Sequence, residues 1–214
     1  MPLSLKFTFA WGTSLRLVRW LPILASIGVT CFFVISPERA RAIEIAIPLM
    51  IGLHAAFAFA PEDESALELL CAAPRPLAYL LIERVGWLIV LHGAVALIAT
   101  AILADLLPAN ALTLIARWLP PSALMLAFGV YAALIGRRSN VSALLVIGVT
   151  LALLIGADSL VARYPILTPI HPYLITNDPA AYALNRVVVS ALALILFART
   201  LWIVRHDERL LGIE

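Results

Sequence analysis

Residues 79–104 read YLLIERVGWLIVLHGAVALIATAILA, and Glu83 and Arg84, one turn from the start, carry the only charges in the run. A helix needs about 20 predominantly apolar residues to cross the hydrocarbon core of a bilayer, and this stretch exceeds that length. It predicts an all-α protein whose solvent is lipid. Working outward, five more stretches have the same character: roughly 20–36, 43–60, 119–136, 141–157 and 187–204. The expectation is a polytopic membrane protein with six transmembrane helices in a single domain, 1–214.

Composition agrees. The chain is 63% hydrophobic and 13% charged, with a mean hydropathy of +1.02, whereas soluble domains are nearer one half apolar. The net charge of +2 and the scatter of the basic residues predict no nucleic-acid partner. Cys31 and Cys71 sit in different segments without metal-ligand spacing, which points to small apolar fillers.

Six spans place both termini on one side. Lys6, Arg16, Arg19, Arg75, Arg84, Arg137, Arg138, Arg199, Arg205 and Arg209 fall on that side, against Arg39, Arg41, Arg117, Arg163 and Arg186 on the other. The positive-inside rule then predicts cytoplasmic termini in a cell inner membrane. A competing reading makes the apolar run 20–35 a signal peptide, with Ala40-Arg41-Ala42 as its small-residue site. Its removal leaves five spans and turns Arg137-Arg138 outward or strands the C-terminal arginines, so a retained first span fits the charges better.

The polar punctuation between spans carries the rest. In residues 1–19, Leu3, Phe7, Trp11, Leu15 and Val18 share one helical stripe, the pattern of a helix lying in the membrane interface. Residues 105–118, with Asp105, Pro108, Asn110, Arg117 and Trp118, read as an external loop. Residues 158–186 contain Pro165, Pro169, Pro172 and Pro179, so short broken helices are expected at the outer face instead of another span.

Residues 61–76, Pro61-Glu62-Asp63-Glu64-Ser65-Ala66-Leu67-Glu68-Leu69-Leu70-Cys71-Ala72-Ala73-Pro74-Arg75-Pro76, interrupt the apolar chain. Asp63 or Ser65 can cap a helix whose acidic first turn suits the positive end of its dipole. Leu67, Leu70 and Cys71 share an apolar face, Glu64 and Glu68 are spaced i, i+4 on another, and Pro74 and Pro76 stop the helix. So short a helix is marginal alone, so its apolar face needs cover, either from a partner or from the protein's own membrane surface.

Catalytic signatures are missing. Lys6 is the only lysine, so the chain has no P-loop, and it contains no H-E-x-x-H and no G-x-S-x-G. No catalytic, metal or cofactor-binding residue is assigned. Ionisable groups within spans draw attention to His54, His92 and Glu83. Counted from the inner ends of their spans, His54 and His92 differ in depth by roughly 10 Å at 1.5 Å per residue. That predicts two separate histidines, each hydrogen-bonded to a neighbouring helix, with Glu83 and Arg84 at the headgroups.

Together these features resemble the membrane subunit of ABC-2 type ABC transporters. The local matches are Glu68-Leu69-Leu70 followed by Pro74-Arg75-Pro76 and Arg84, Asn185-Arg186 opening the last span, and the closing Asp207-Glu208-Arg209-Leu210-Leu211. The resemblance spans nearly the whole chain but rests on hydropathy and a few polar landmarks. It implies a non-catalytic permease subunit that forms an export pathway with a second, identical or related permease. A separate ABC ATPase subunit would carry the ATP and Mg. Residues 61–76 would be the coupling helix, with Glu64, Leu67, Glu68, Leu70 and Arg75 meeting the ATPase. His54, His92, Asp158, Tyr173 and Arg186 are the candidates for gating or for lining the pathway. Two other functions remain open: a membrane anchor for a cytoplasmic complex, and a membrane-embedded enzyme using Asp158, His171 and Asp178 on lipid-linked substrates.

Overall fold

A computed structural model describes residues 24, 27, 28, 39–61, 77–106, 110–174, 176 and 178–205. The expected interfacial helix, nearly all of the first span and the coupling-helix residues Glu64, Leu67, Glu68, Leu70 and Arg75 lie outside the described residues.

The described residues form α1 (Arg39–Ala58), α2 (Leu77–Leu106), α3 (Ala111–Gly136), α4 (Ser139–Arg163), a 3-10 helix (Pro165–Ile170) and α5 (Pro179–Val204), with no strand among them. Helices α2 to α5 are each long and apolar enough to cross a membrane, the architecture of a multi-pass membrane protein. The apolar part of α1, Ile43–Ala58, is shorter and falls short of a ~30 Å hydrocarbon core.

Successive helices run antiparallel, as two apolar clusters at the ends of the bundle show. At one end Phe59, Leu77, Leu81, Ala133 and Val204 pack together; at the other, Ile43, Leu103, Leu114 and Trp118 do so. Arg84, Arg137, Arg138, Arg199 and Arg205 therefore fall toward the first end, where α1 stops and α2 begins. Arg117, Arg163 and Arg186 fall toward the second, beside the 3-10 helix.

Helix α3 is the hub. Half of its most apolar window is buried, against 22–33% in the other three long helices, and it packs most extensively on α1 and α5. Small residues permit the α1–α3 approach: a β-carbon on Gly129 would meet the Gly52 carbonyl, and one on Gly52 would lie 3.0 Å from the Met125 carbonyl. Without a hydrophobic force between helices in lipid, such close backbone packing is a main source of association. The α3–α4 turn is tight, with Arg137 at φ 59° donating its N–H to the Ala133 carbonyl. Ser142 Oγ reaches the Ala132 and Arg138 carbonyls across that turn.

Several expected boundaries move. Residues 111–118 are not loop: α3 begins at Ala111, where the Asn110 side chain accepts from the Leu112 N–H. Pro120 and Pro121, which mimic a helix start, lie inside α3. Arg117 instead pairs with Glu44 of α1 at 3.5 Å, and Trp118 is buried, its Nε1 donating to Thr100 Oγ1 at 3.0 Å. The last span likewise begins at Pro179 instead of 187, because Asp178 caps it through the Ala180 N–H and Pro179 suits its first turn. Asn185 and Arg186 thus sit two turns inside α5. The broken stretch contracts to the 3-10 helix and the residues up to 178.

Candidate functional site

A cavity of about 620 Å³ lies at mid-height among α1, α2, α3 and α5. Of the helices around it, α2 packs only lightly on α3 and α5. Ile51, Leu126, Trp118 and Phe197 are among its wall residues, and among the described residues no Asp, Glu, Lys or Arg side chain lines it. Ile89, Val90, Leu97, Leu119 and Leu194, also in the wall, are exposed on the outside of the bundle. The cavity therefore opens sideways, toward where acyl chains would lie.

His92 and Ser122 are the polar side chains of the wall. His92 is 1% and Ser122 4% exposed, yet His92 Nδ1 and Ser122 Oγ make no hydrogen bond. Ser122 is exceptional in this. The other buried serine and threonine hydroxyls in the described helices, Thr100, Ser142, Thr150 and Thr200, each bond to the carbonyl four residues back. An unsatisfied buried polar atom costs about 1–3 kcal/mol, so these two demand an explanation.

His92 is held from behind by His54. The separation of roughly 10 Å inferred from sequence is wrong: His54 Nδ1 and His92 Nε2 are 3.1 Å apart, with the rings edge to face at 73°. The reason is an offset between the helices. Arg84 Nη1 donates to the Ala58 carbonyl, so α2 overhangs the end of α1 by about two turns and residues counted from each helix's own start do not share a level. The histidines are thus bonded to neighbouring helices, as expected, but to each other. One nitrogen of the contact donates and the other accepts. Among the described residues no group of three or more His, Cys, Asp and Glu side chains gathers to hold a metal.

A second polar cluster closes the far end. Asn185 Nδ2 faces the carbonyls of Thr168, Pro169 and His171 at 3.2, 2.9 and 2.8 Å, clamping the 3-10 segment to α5 with two N–H bonds shared among three acceptors. Arg186 Nη1 donates to the Pro172 carbonyl at 2.9 Å, and its guanidinium stands 4.5 Å from the centre of the Tyr182 ring. Tyr173 is buried beside Thr150; burial pushes its phenol up to about 12, with the Thr150 hydroxyl acting the other way. The Tyr173 N–H donates to His171 Nδ1 at 3.2 Å, which leaves His171 Nε2 to donate to the Leu153 carbonyl at 3.0 Å.

Of the residues singled out from sequence, His54 and His92 meet at the cavity, while Tyr173 and Arg186 meet at the cap. Asp158 lies in α4, and its side chain is outside the described residues. Of the trio Asp158, His171 and Asp178, both His171 nitrogens bond to backbone and Asp178 caps α5. Ser122 and Asn185 were missed as site residues. A serine directly after Pro120-Pro121 in an apolar run, and an asparagine in another, were the available signals.

Comparison with protein-family models, with curated proteins and with solved structures finds no match for this chain.

Proposed function

We propose that this chain is the permease subunit of an ATP-driven exporter of the ABC-2 type. In this reading residues 20–36 and α1 complete six membrane helices. Both termini and residues 61–76 are cytoplasmic in the cell inner membrane. A second permease subunit completes the pathway, and an ABC ATPase subunit binds ATP and Mg.

The observation that carries the reading is mechanical. In the sequence residues 61–76 lie between α1 and α2, and α2, one wall of the cavity, packs only lightly on α3 and α5. A push on that connector moves α2 against α3 and α5 and so changes the cavity, the kind of rigid-body rearrangement that alternating access requires. Glu64, Leu67, Glu68, Leu70 and Arg75 are the residues that would receive the push. Asn185 and Arg186 hold the opposite end shut through the 3-10 segment.

The test is reconstitution. Expressed with its genomic neighbours, the chain should copurify with an ATPase bearing a Walker motif, and proteoliposomes of the complex should move an amphipathic dye only when ATP is supplied. A chain that copurifies with no ATPase, or a complex whose dye movement ignores ATP, contradicts the proposal.

A further inference from the structure

We infer that an anionic phospholipid binds at the end of the bundle where α3 stops and α4 begins. Its phosphodiester lies between Arg138 and Arg199, and an acyl chain fills the furrow that α4 and α5 leave along α3. The inference needs neither an ATPase nor a choice of leaflet, so it stands apart from the export reading.

The furrow comes from the packing. Helices α4 and α5 both pack on α3 but hardly on each other. Ala132 of α3 shares a core cluster with Val146 of α4, and Ala133 shares one with Val204 of α5. Ile135, 55% exposed, is left on the outer side of α3, and Val141 and Leu145 of α4 are exposed beside it. On α5, Phe197 lines the cavity toward α2. Arg199 follows two residues later, about 200° around the helix at 3.6 residues per turn, which turns it to the furrow's flank.

Both arginines sit at head-group depth and are exposed. Along α5, Tyr182 and Trp202 stand about 30 Å apart at 1.5 Å per residue, the thickness of a hydrocarbon core, and such aromatics mark its two interfaces. The Arg199 guanidinium lies 4.2 Å from the centre of the Trp202 ring, so its side chain reaches along the helix toward the head groups. Arg138 follows the α3–α4 turn, its carbonyl accepting the Ser142 N–H, and α4 presents the positive end of its dipole there.

Charge selects the lipid. Among the described residues toward this end, Arg84, Arg137, Arg138, Arg199 and Arg205 are accompanied by the single acidic residue Glu83, on α2. A guanidinium fork matches phosphate oxygens, and a phosphatidylcholine head brings its own cation, whereas phosphatidylglycerol adds net negative charge. A free phosphate or a soluble acidic protein satisfies the arginines but leaves Ile135, Val141 and Leu145 bare. An anionic lipid covers both.

The experiment uses the full chain in detergent micelles, with native mass spectrometry reading retention of phosphatidylglycerol and phosphatidylcholine of identical acyl chains. Phosphatidylglycerol should be preferred about 30-fold, since each arginine near a membrane surface contributes about fivefold, or roughly 1 kcal/mol. Arg138→Gln and Arg199→Gln should each lower that preference about fivefold, and the double variant should remove it. Arg163→Gln is the control, an exposed arginine beside Tyr164 at the other end, and should leave the preference unchanged. Ile135→Asn should weaken both lipids alike. Thermal unfolding without lipid checks that every variant is folded. Equal retention of the two lipids, a preference that survives the double variant, or an equal loss in Arg163→Gln overturns the inference. So does displacement of the lipid by millimolar glycerophosphoglycerol or hexaglutamate, which would make the arginines a site for a free anion or an acidic protein.

Discussion

The carbonyl of Gly52 in α1 lies against the α-carbon of Gly129 in α3, in the space that a β-carbon on Gly129 would need. This crossing brings α1 close to the hub. Gly129→Ala should therefore destabilise the bundle by roughly 1–3 kcal/mol through overpacking, read as a lower unfolding temperature in detergent. Gly148→Ala is the control: its β-carbon meets nothing within 4 Å, and the added helix propensity should leave stability unchanged or raise it by up to about 1 kcal/mol.

The two histidines should behave as one unit. His54→Leu removes the partner of His92 Nε2, and His92→Leu removes that of His54 Nδ1, each at roughly 1–3 kcal/mol. The double variant should lose less than the sum, with a coupling of at least ~0.5 kcal/mol in a double-mutant cycle. Strict additivity would show that the 3.1 Å contact contributes nothing.

Asn185 is expected to latch the 3-10 segment. Asn185→Ala removes the donor that serves the Thr168, Pro169 and His171 carbonyls and should speed amide exchange of His171 and Leu174, whose N–H groups bond within that turn. Asn185→Asp should do more harm than alanine, because it aims an acceptor at three acceptors. Protection equal to wild type in both variants would contradict the latch.

The membrane class was legible in the run 79–104, since no soluble core explains so many apolar residues in succession. Which residues of that run face protein was not. In lipid the outward face is as apolar as the inward one: Leu144 and Leu194 are exposed while Val146 and Val189 are fully buried, and nothing in their hydropathy separates them. Helix starts were misplaced where two signals competed. The Asn110 cap lies in the stretch read as loop, and the Asp178-Pro179 start lies in the stretch read as broken helices. The histidine contact and the cavity depend on how far α2 overhangs α1, a tertiary quantity absent from any residue count. Ser122 shows the same limit, because an idle hydroxyl is recognisable only once its neighbours' bonds are known.

The proposed orientation rests on the sorting of arginines to the two ends of the bundle. Single cysteines placed in a cysteine-free background at positions 65 and 138 should resist a membrane-impermeant maleimide in intact cells, while one at 170, where Ile170 is exposed, should react. A reactive position 138 would invert the bundle and remove residues 61–76 from the cytoplasm.

The central claim, that residues 61–76 couple this subunit to an ATPase, is tested most directly by measuring ATPase copurification and ATP-driven transport for Leu67→Asp and Leu70→Asp. Burying the apolar face of a short helix gains about 25 cal/mol per Å², and a charge placed on that face opposes the burial. Both variants should lose the ATPase, or hydrolyse ATP without transport, while the membrane bundle stays folded. Glu68→Ala should change little, since exposed ion pairs contribute about 0–1 kcal/mol. Aspartate variants that retain the ATPase and transport at the wild-type rate would contradict the coupling role.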